Sequence, residues 1–200
     1  PRYHFTVKTP YNIIPDLTIG VPGLINVENA LAALAAADQL GVSRDELTRS
    51  MPDFTGVQRR FDVQLENDRM VYIDDYAHHP EELRAFITSV RELYPGRAVT
   101  GIFQPHLYSR TRDFAEGFAE SLELLDTLIL LDIYPAREEP IPGVDARLIY
   151  DRVALKDKMM VRKEQLLKVL EERRPRLLLT MGAGDIDRMV EPIKTRMLRK

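Results

Sequence analysis

Cysteine is absent from all 200 residues, which removes disulfides, zinc-thiolate sites and thiol nucleophiles together. A chain without disulfides suits a cytoplasmic protein. An excess of one charge is also lacking: 28 basic residues stand against 31 acidic ones, interspersed, for a net charge of −3. That balance offers no footprint for a nucleic-acid backbone, so an anionic ligand must be held by a local arrangement. No apolar run approaches the length of a membrane span, and no signal peptide is visible. Neither a phosphate-binding G-x-x-x-x-G-K-S/T loop nor a Ser-His-Asp triad occurs. Methionine first appears at Met51, well inside a chain that starts at Pro1, so an excised fragment or processed product is expected. What is present, 44% apolar and 30% charged residues, is the composition of a globular protein with an ordinary core.

Residues 1–21 read as two extended segments, Tyr3 to Val7 and Leu17 to Ile19, with Pro10, Asn12 and Pro15 breaking the run between them. An Ala-rich helix is expected from about Asn26 to Leu40, with Asn26 as its N-cap, Asn29 in its first turn and Gly41 ending it. Ser43 then caps a short helix with Glu46 at the capping-box position. These elements look like the tail of one domain, too few to make a sheet of their own. From about Arg60 the pattern becomes regular. Apolar runs at 70–73, 98–103, 127–131 and 176–180, with a weaker one at 158–161, alternate with helical stretches near 80–94, 110–125, 145–155, 162–174 and 184–197. Strands that are apolar throughout and alternate with helices predict an α/β fold: a Rossmann-like, open, mainly parallel sheet with helices on both faces.

Each strong strand ends in chemistry-bearing residues, and in a parallel sheet those ends share one edge. The run Asp74-Asp75-Tyr76-Ala77-His78-His79-Pro80 packs two carboxylates, a phenol and two imidazoles into one turn. Asp75 is suited to a ribose hydroxyl or to orienting an imidazole, Tyr76 to stacking or donating a hydrogen bond, and Pro80 to the first helical position. Adjacent histidines are poor chelators and no well-spaced third ligand is evident, so no metal site is expected here. His78 is expected to meet a ligand and His79 to cap or pack. The second strand end carries His106, Arg110 and Arg112 at the start of a predicted helix, a place that favours an anion. Arg110 is the candidate for a bidentate carboxylate or phosphate contact, and Arg112 is expected to pair with Asp113 or Glu116. Gly182-Ala183-Gly184-Asp185 follows a strand as a phosphate cradle would, but it lacks the third glycine of the dinucleotide fingerprint; Asp185 is expected to be an N-cap.

Six segments together, Pro22 to Ala30, Gly56 to Phe61, Asp74 to Pro80, Phe103 to Asp113, Tyr134 to Val144 and Gly182 to Ile186, resemble the Mur ligase family in order and spacing over nearly the whole chain. The resemblance implies a three-domain parent. Residues 1–59 would be the C-terminal end of its central ATP-binding domain, and 60–200 its Rossmann-like C-terminal domain. It implies that ATP phosphorylates the muramoyl carboxylate of UDP-N-acetylmuramate and that the L-alanine amine attacks the acyl-phosphate through a tetrahedral intermediate. Such a transfer needs alignment and charge neutralisation more than a protein nucleophile. The ATP phosphate loop and the Mg2+ ligands would precede Pro1, so this fragment would need the missing N-terminal and central domains to be active. By resemblance Asn26 and Asn29 face adenine, Arg60 and Asp75 face nucleotide phosphate and ribose, and Tyr76, His78, His106 and Arg110 form the alanine pocket. His78 and Arg110 are the catalytic candidates. Ile25 stands where many members have His, and Leu107 where many have a second Arg, leaving more of the carboxylate to Arg110. A relative that recycles murein tripeptide shares the pattern but typically has Phe at the position of Tyr76. A nucleotide-binding module without chemistry is the reading from another class.

Overall fold

The computed structural model describes residues 3–9 and 13–198, so Pro10 and Asn12 of the expected break lie outside the described residues. The chain divides into two compact units, Pro1–Phe61 and Asp62–Lys200.

In the smaller unit, β1 (His4–Lys8) and β2 (Ile13–Thr18) pair antiparallel in a two-stranded sheet, correcting the expectation that these segments form none. Pro15 does not break β2. Phe5 pairs with Leu17 and Val7 with Ile14, so Pro15 and Asp16 (φ 56°) stand opposite Thr6 alone in a bulge. A bulge tolerates a residue without an N–H. The alternate residues Val7, Ile14 and Leu17 bury against Leu34 of α1 (Leu24–Gln39) and Leu47 of α2 (Arg44–Ser50). Helix α1 starts two residues before Asn26, with Gly23 at the cap position. Asn26 is therefore not the cap; its side-chain amide instead donates to the Pro22 carbonyl at 2.6 Å, and Asn29 falls in the second turn. Helix α2 begins as expected: the Ser43 hydroxyl accepts from Glu46 N–H, and Ser43 N–H donates to the Glu46 carboxylate at 3.0 Å.

The larger unit is built on β3 (Asp62–Glu66), β4 (Val71–Asp75), α3 (Pro80–Leu93), β5 (Thr100–Phe103), α4 (Tyr108–Asp113), α5 (Ala115–Leu122), β6 (Thr127–Leu130), α6 (Arg147–Tyr150), β7 (Lys158–Met160), α7 (Leu166–Arg173), β8 (Leu177–Met181) and α8 (Val190–Leu198). Its six strands run in the order β3-β4-β8-β5-β6-β7, all parallel except the antiparallel edge strand β3. Strand β8 enters the middle of the sheet, so the turns after β4 and β5 flank the turn after β8.

Alternation of side chains across the strands divides the core into two layers. Tyr72, Leu178, Ile102 and Ile129 share one layer with Leu166 and Leu170 of α7 and Val190 and Ile193 of α8. On the other face Phe103 meets Phe118 of α5 with ring centroids 5.3 Å apart. Two helical stretches are shorter or more broken than their periodicity predicts. The 110–125 stretch is two helices parted at Phe114, and the 145–155 stretch keeps only the four residues of α6.

Candidate active site

Strand β4 delivers its cluster through a turn with satisfied backbone groups. Asp75 Oδ1 accepts the Ala77 N–H at 2.7 Å, a local Asx turn, and the Asp75 carbonyl accepts from Gly182 N–H at 3.3 Å. His79 is the N-cap of α3, as expected. Its Nδ1 accepts from Glu81 N–H, while the Glu82 carboxylate accepts the His78 and His79 N–H groups at 2.9 and 3.1 Å, and Pro80 opens the helix. The His79 ring also packs edge-on against Phe114, 4.7 Å between centroids.

His78 points elsewhere. Its Nδ1 lies 3.0 Å from the Tyr76 carbonyl and 3.2 Å from the Glu82 carboxylate, two acceptors, so this nitrogen is a donor and Nε2 is the atom turned away from both. The His78 ring stands edge-on to Tyr76 at 5.1 Å and to His106 at 6.2 Å.

The β5 end supplies the other half. Arg110, on the first turn of α4, places Nη1 3.3 Å from His106 Nδ1; the guanidinium can only donate, so this imidazole nitrogen accepts. Burial, and then the nearby Arg110 charge and His78, hold the His106 pKa below its ordinary value, which keeps the ring neutral at pH 7. Among the described residues no carboxylate is ion-paired with Arg110. Arg112, in contrast, meets Asp113 at 2.7 Å on the surface, as expected. Tyr76, His78, His106 and Arg110, from two strand ends that are not adjacent in sequence, thus share one edge of the sheet. Asp75 stands at the same edge, whereas Asn26, Asn29 and Arg60 belong to the smaller unit, where Arg60 and Asn29 are exposed.

Two features were given no role from sequence, and a third, the turn after β8, differs from its expectation. Tyr134, beyond β6, stacks on His106 at 5.9 Å, and its backbone bonds to Leu107 N–H and the Pro105 carbonyl extend the parallel pairing past the strand. Glu138 accepts both the N–H and the hydroxyl of Ser109. The Gly182–Asp185 turn is packed rather than left open for phosphate. A Cβ on Gly184 would lie 2.5 Å from the Gln104 side chain and 2.7 Å from Tyr134. Asp185 is not an N-cap: Gly184 holds that position, and the Asp185 carboxylate accepts from Gln104 at 2.9 Å and pairs with Lys163. The available signal was position, since Tyr134, Glu138 and Lys163 all follow the carboxyl ends of parallel strands.

An open, mainly parallel α/β sheet with its polar side chains gathered at the carboxyl edge defines the class: a Rossmann-like domain, of the kind in which that edge is the usual place for a ligand crevice. Residues 59–184 match the family described as Mur ligase, glutamate ligase domain. The chain belongs to that family.

A UDP-N-acetylmuramate–L-alanine ligase of Parabacteroides distasonis is 59% identical over 90% of this chain, which covers 39% of that protein. The structure of a UDP-N-acetylmuramate–alanine ligase from Thermotoga maritima superposes with a TM-score of 0.76 at 29% identity, covering 92% of this chain and 40% of that one. The structure of a murein peptide ligase from Psychrobacter arcticus shares the fold, with a TM-score of 0.64 at 21% identity over 97% of this chain and 42% of that one. The chain spans about two fifths of the length of the curated relatives it matches.

Proposed function

We propose that the chain is the carboxyl-terminal part of an ATP-dependent, cytoplasmic UDP-N-acetylmuramate–L-alanine ligase. In this reading it supplies the amino-acid pocket and part of the ATP site, and residues 1–59 complete the central ATP-binding domain. The observation that supports this most is the succession of neighbours Tyr76, His78 and His106 leading to an Arg110 that is ion-paired with no carboxylate among the described residues. A guanidinium with its charge uncompensated is a receptor for a carboxylate, which it can grip with two parallel N–H bonds. L-Alanine carries that carboxylate and an ammonium, and the ammonium must lose a proton before its nitrogen can attack an acyl-phosphate. His78, with its Nδ1 proton held by Tyr76 and Glu82, presents the Nε2 lone pair to take that proton. Identity to the Parabacteroides alanine ligase favours alanine over murein tripeptide, as does Tyr76.

Each unit, taken by itself, carries side chains suited to a nucleotide. Asn26 keeps an amide oxygen that no protein donor engages among the described residues, and with Asn29 it offers amides for adenine. Arg60 is suited to a phosphate and Asp75 to a ribose hydroxyl. Among the described residues no three His, Cys, Asp or Glu side chains gather to hold a metal ion. In this reading the Mg2+ ligands and the UDP-sugar site belong to the rest of the full-length protein. Among the described residues no helix is long and apolar enough to cross a membrane.

Phosphate release by the full-length protein tests the reading. It is expected to require UDP-N-acetylmuramate, L-alanine and ATP together; turnover with murein tripeptide but not alanine would replace it with the recycling reaction. Titration calorimetry on the isolated chain is expected to show weak or undetectable binding of ATP and of L-alanine. Micromolar binding there, with no turnover by the full-length protein, would favour a nucleotide-binding module.

A further inference from the structure

Helix α4 carries Arg110, yet it lacks the residue that normally fixes a helix start. Its cap position is Leu107, which has no side-chain acceptor and sits at φ 72°, a left-handed conformation costly for a branched side chain. The donors that a capping side chain would take, in the first turn, are taken from outside. Glu138 Oε2 accepts Ser109 N–H at 2.9 Å and Oε1 accepts the Ser109 hydroxyl at 2.5 Å. This correction matters for the anion reading of the helix start, because the N–H of Ser109 is already occupied by the protein's own carboxylate.

Glu138 is itself held in place. Its N–H closes a turn on the Pro135 carbonyl at 2.9 Å, with Ala136 at φ 51°, directly after the Tyr134 segment bonded to Pro105 and Leu107. The loop after β6 therefore grips the His106–Arg110 segment twice, through Tyr134 at its start and Glu138 at its end. Both carboxylate oxygens of Glu138 are engaged by Ser109, one residue away from Arg110, and among the described residues the acid forms no ion pair with the arginine. The bonds from Ser109 hold the Glu138 carboxyl below the usual carboxylate range, so it stays an acceptor at pH 7.

We propose that Glu138 is a positioning residue of the amino-acid pocket: acting as the missing cap of α4, it fixes the Arg110 guanidinium beside His106 and leaves it open to the carboxylate of the incoming amino acid. This rests on the ligase reading above. In a purely structural role the same contact would merely stabilise the fold: apparent kcat would fall with the folded fraction and the KM for L-alanine would stay where it is.

The test uses the full-length protein with Glu138→Ala, Glu138→Gln, Ser109→Ala and the double variant Ser109→Ala/Glu138→Ala. In Glu138→Ala the KM for L-alanine is expected to rise about tenfold or more, with the KM for ATP unchanged and kcat within about threefold. Glu138→Gln keeps one acceptor oxygen for Ser109 and is expected to recover part of the loss. The double variant is expected to be no worse than Glu138→Ala alone, because both changes break one contact. An alanine KM unmoved in both Glu138 variants, or one that shifts in step with the ATP KM, would overturn the proposal while leaving the ligase reading intact. A wild-type protein that does not use L-alanine would overturn both.

Discussion

Arg110→Ala in the full-length protein is expected to lower kcat/KM for L-alanine by about 30- to 700-fold, corresponding to roughly 2–4 kcal/mol of transition-state stabilisation. The size follows from what the guanidinium meets. It is permanently charged, it touches the neutral ring of His106 at 3.3 Å, and no protein acid is ion-paired with it among the described residues. A ligand carboxylate would be its charge partner, and the contact would be a charge-assisted one beside a half-buried guanidinium. Most of the loss is expected in the KM for alanine, with the KM for ATP little changed. Arg110→Lys keeps the charge but not the planar fork, so an intermediate loss of about tenfold is expected. Arg112→Ala is the internal control: that side chain is exposed and paired with Asp113, and its removal is expected to leave alanine kinetics within about twofold. Steady-state kinetics with alanine varied at saturating ATP would check all three.

Gly182→Ala is expected to be the most destabilising small change at this edge, by roughly 2–5 kcal/mol in chemical denaturation. Gly182 adopts φ 140°, and a Cβ there would lie 2.6 Å from the Gln104 carbonyl oxygen, a backbone atom with little room to withdraw. The same residue donates its N–H to the Asp75 carbonyl. A methyl group at this point pushes apart the two strand ends that carry Tyr76 and His78 on one side and His106 and Arg110 on the other. Gly143→Ala separates strain from crowding. Gly143 also has a positive φ, 77°, but a Cβ there meets nothing within 4 Å, so roughly 1 kcal/mol is expected. Equal losses at the two positions would mean that close packing of Gly182 against Gln104 contributes nothing.

The parallel core was legible because its strands announce themselves locally. Val71 to Ile73, Leu128 to Leu130 and Leu177 to Leu179 are apolar on successive residues, which only a sheet covered on both faces requires. Strand β3 was missed although Asp62, Gln64 and Glu66 alternate with Val63 and Leu65, the period of a half-buried strand; its antiparallel pairing with β4 is a tertiary fact. The bulge at Pro15 and Asp16 is hidden for the same reason: proline reads as a break until the partner strand is known. Of the candidate site, the residues that would meet a ligand were visible by their type at strand ends. Those that hold them were not. Glu138 lies 29 positions from Ser109, and Gln104 lies 81 from Asp185, so no local pattern links them. Gly182 and Gly184 illustrate the ambiguity of a motif, because close packing against Gln104 and Tyr134 demands glycine as strictly as a bound phosphate would.

The most direct test is a crystal structure of the full-length protein with L-alanine, a non-hydrolysable ATP analogue and UDP-N-acetylmuramate bound together. The amino-acid carboxylate is predicted to lie within hydrogen-bond distance of the Arg110 guanidinium, with its amine toward His78 Nε2. Alanine bound away from the edge formed by Tyr76, His78, His106 and Arg110, with those side chains facing solvent, would contradict the account.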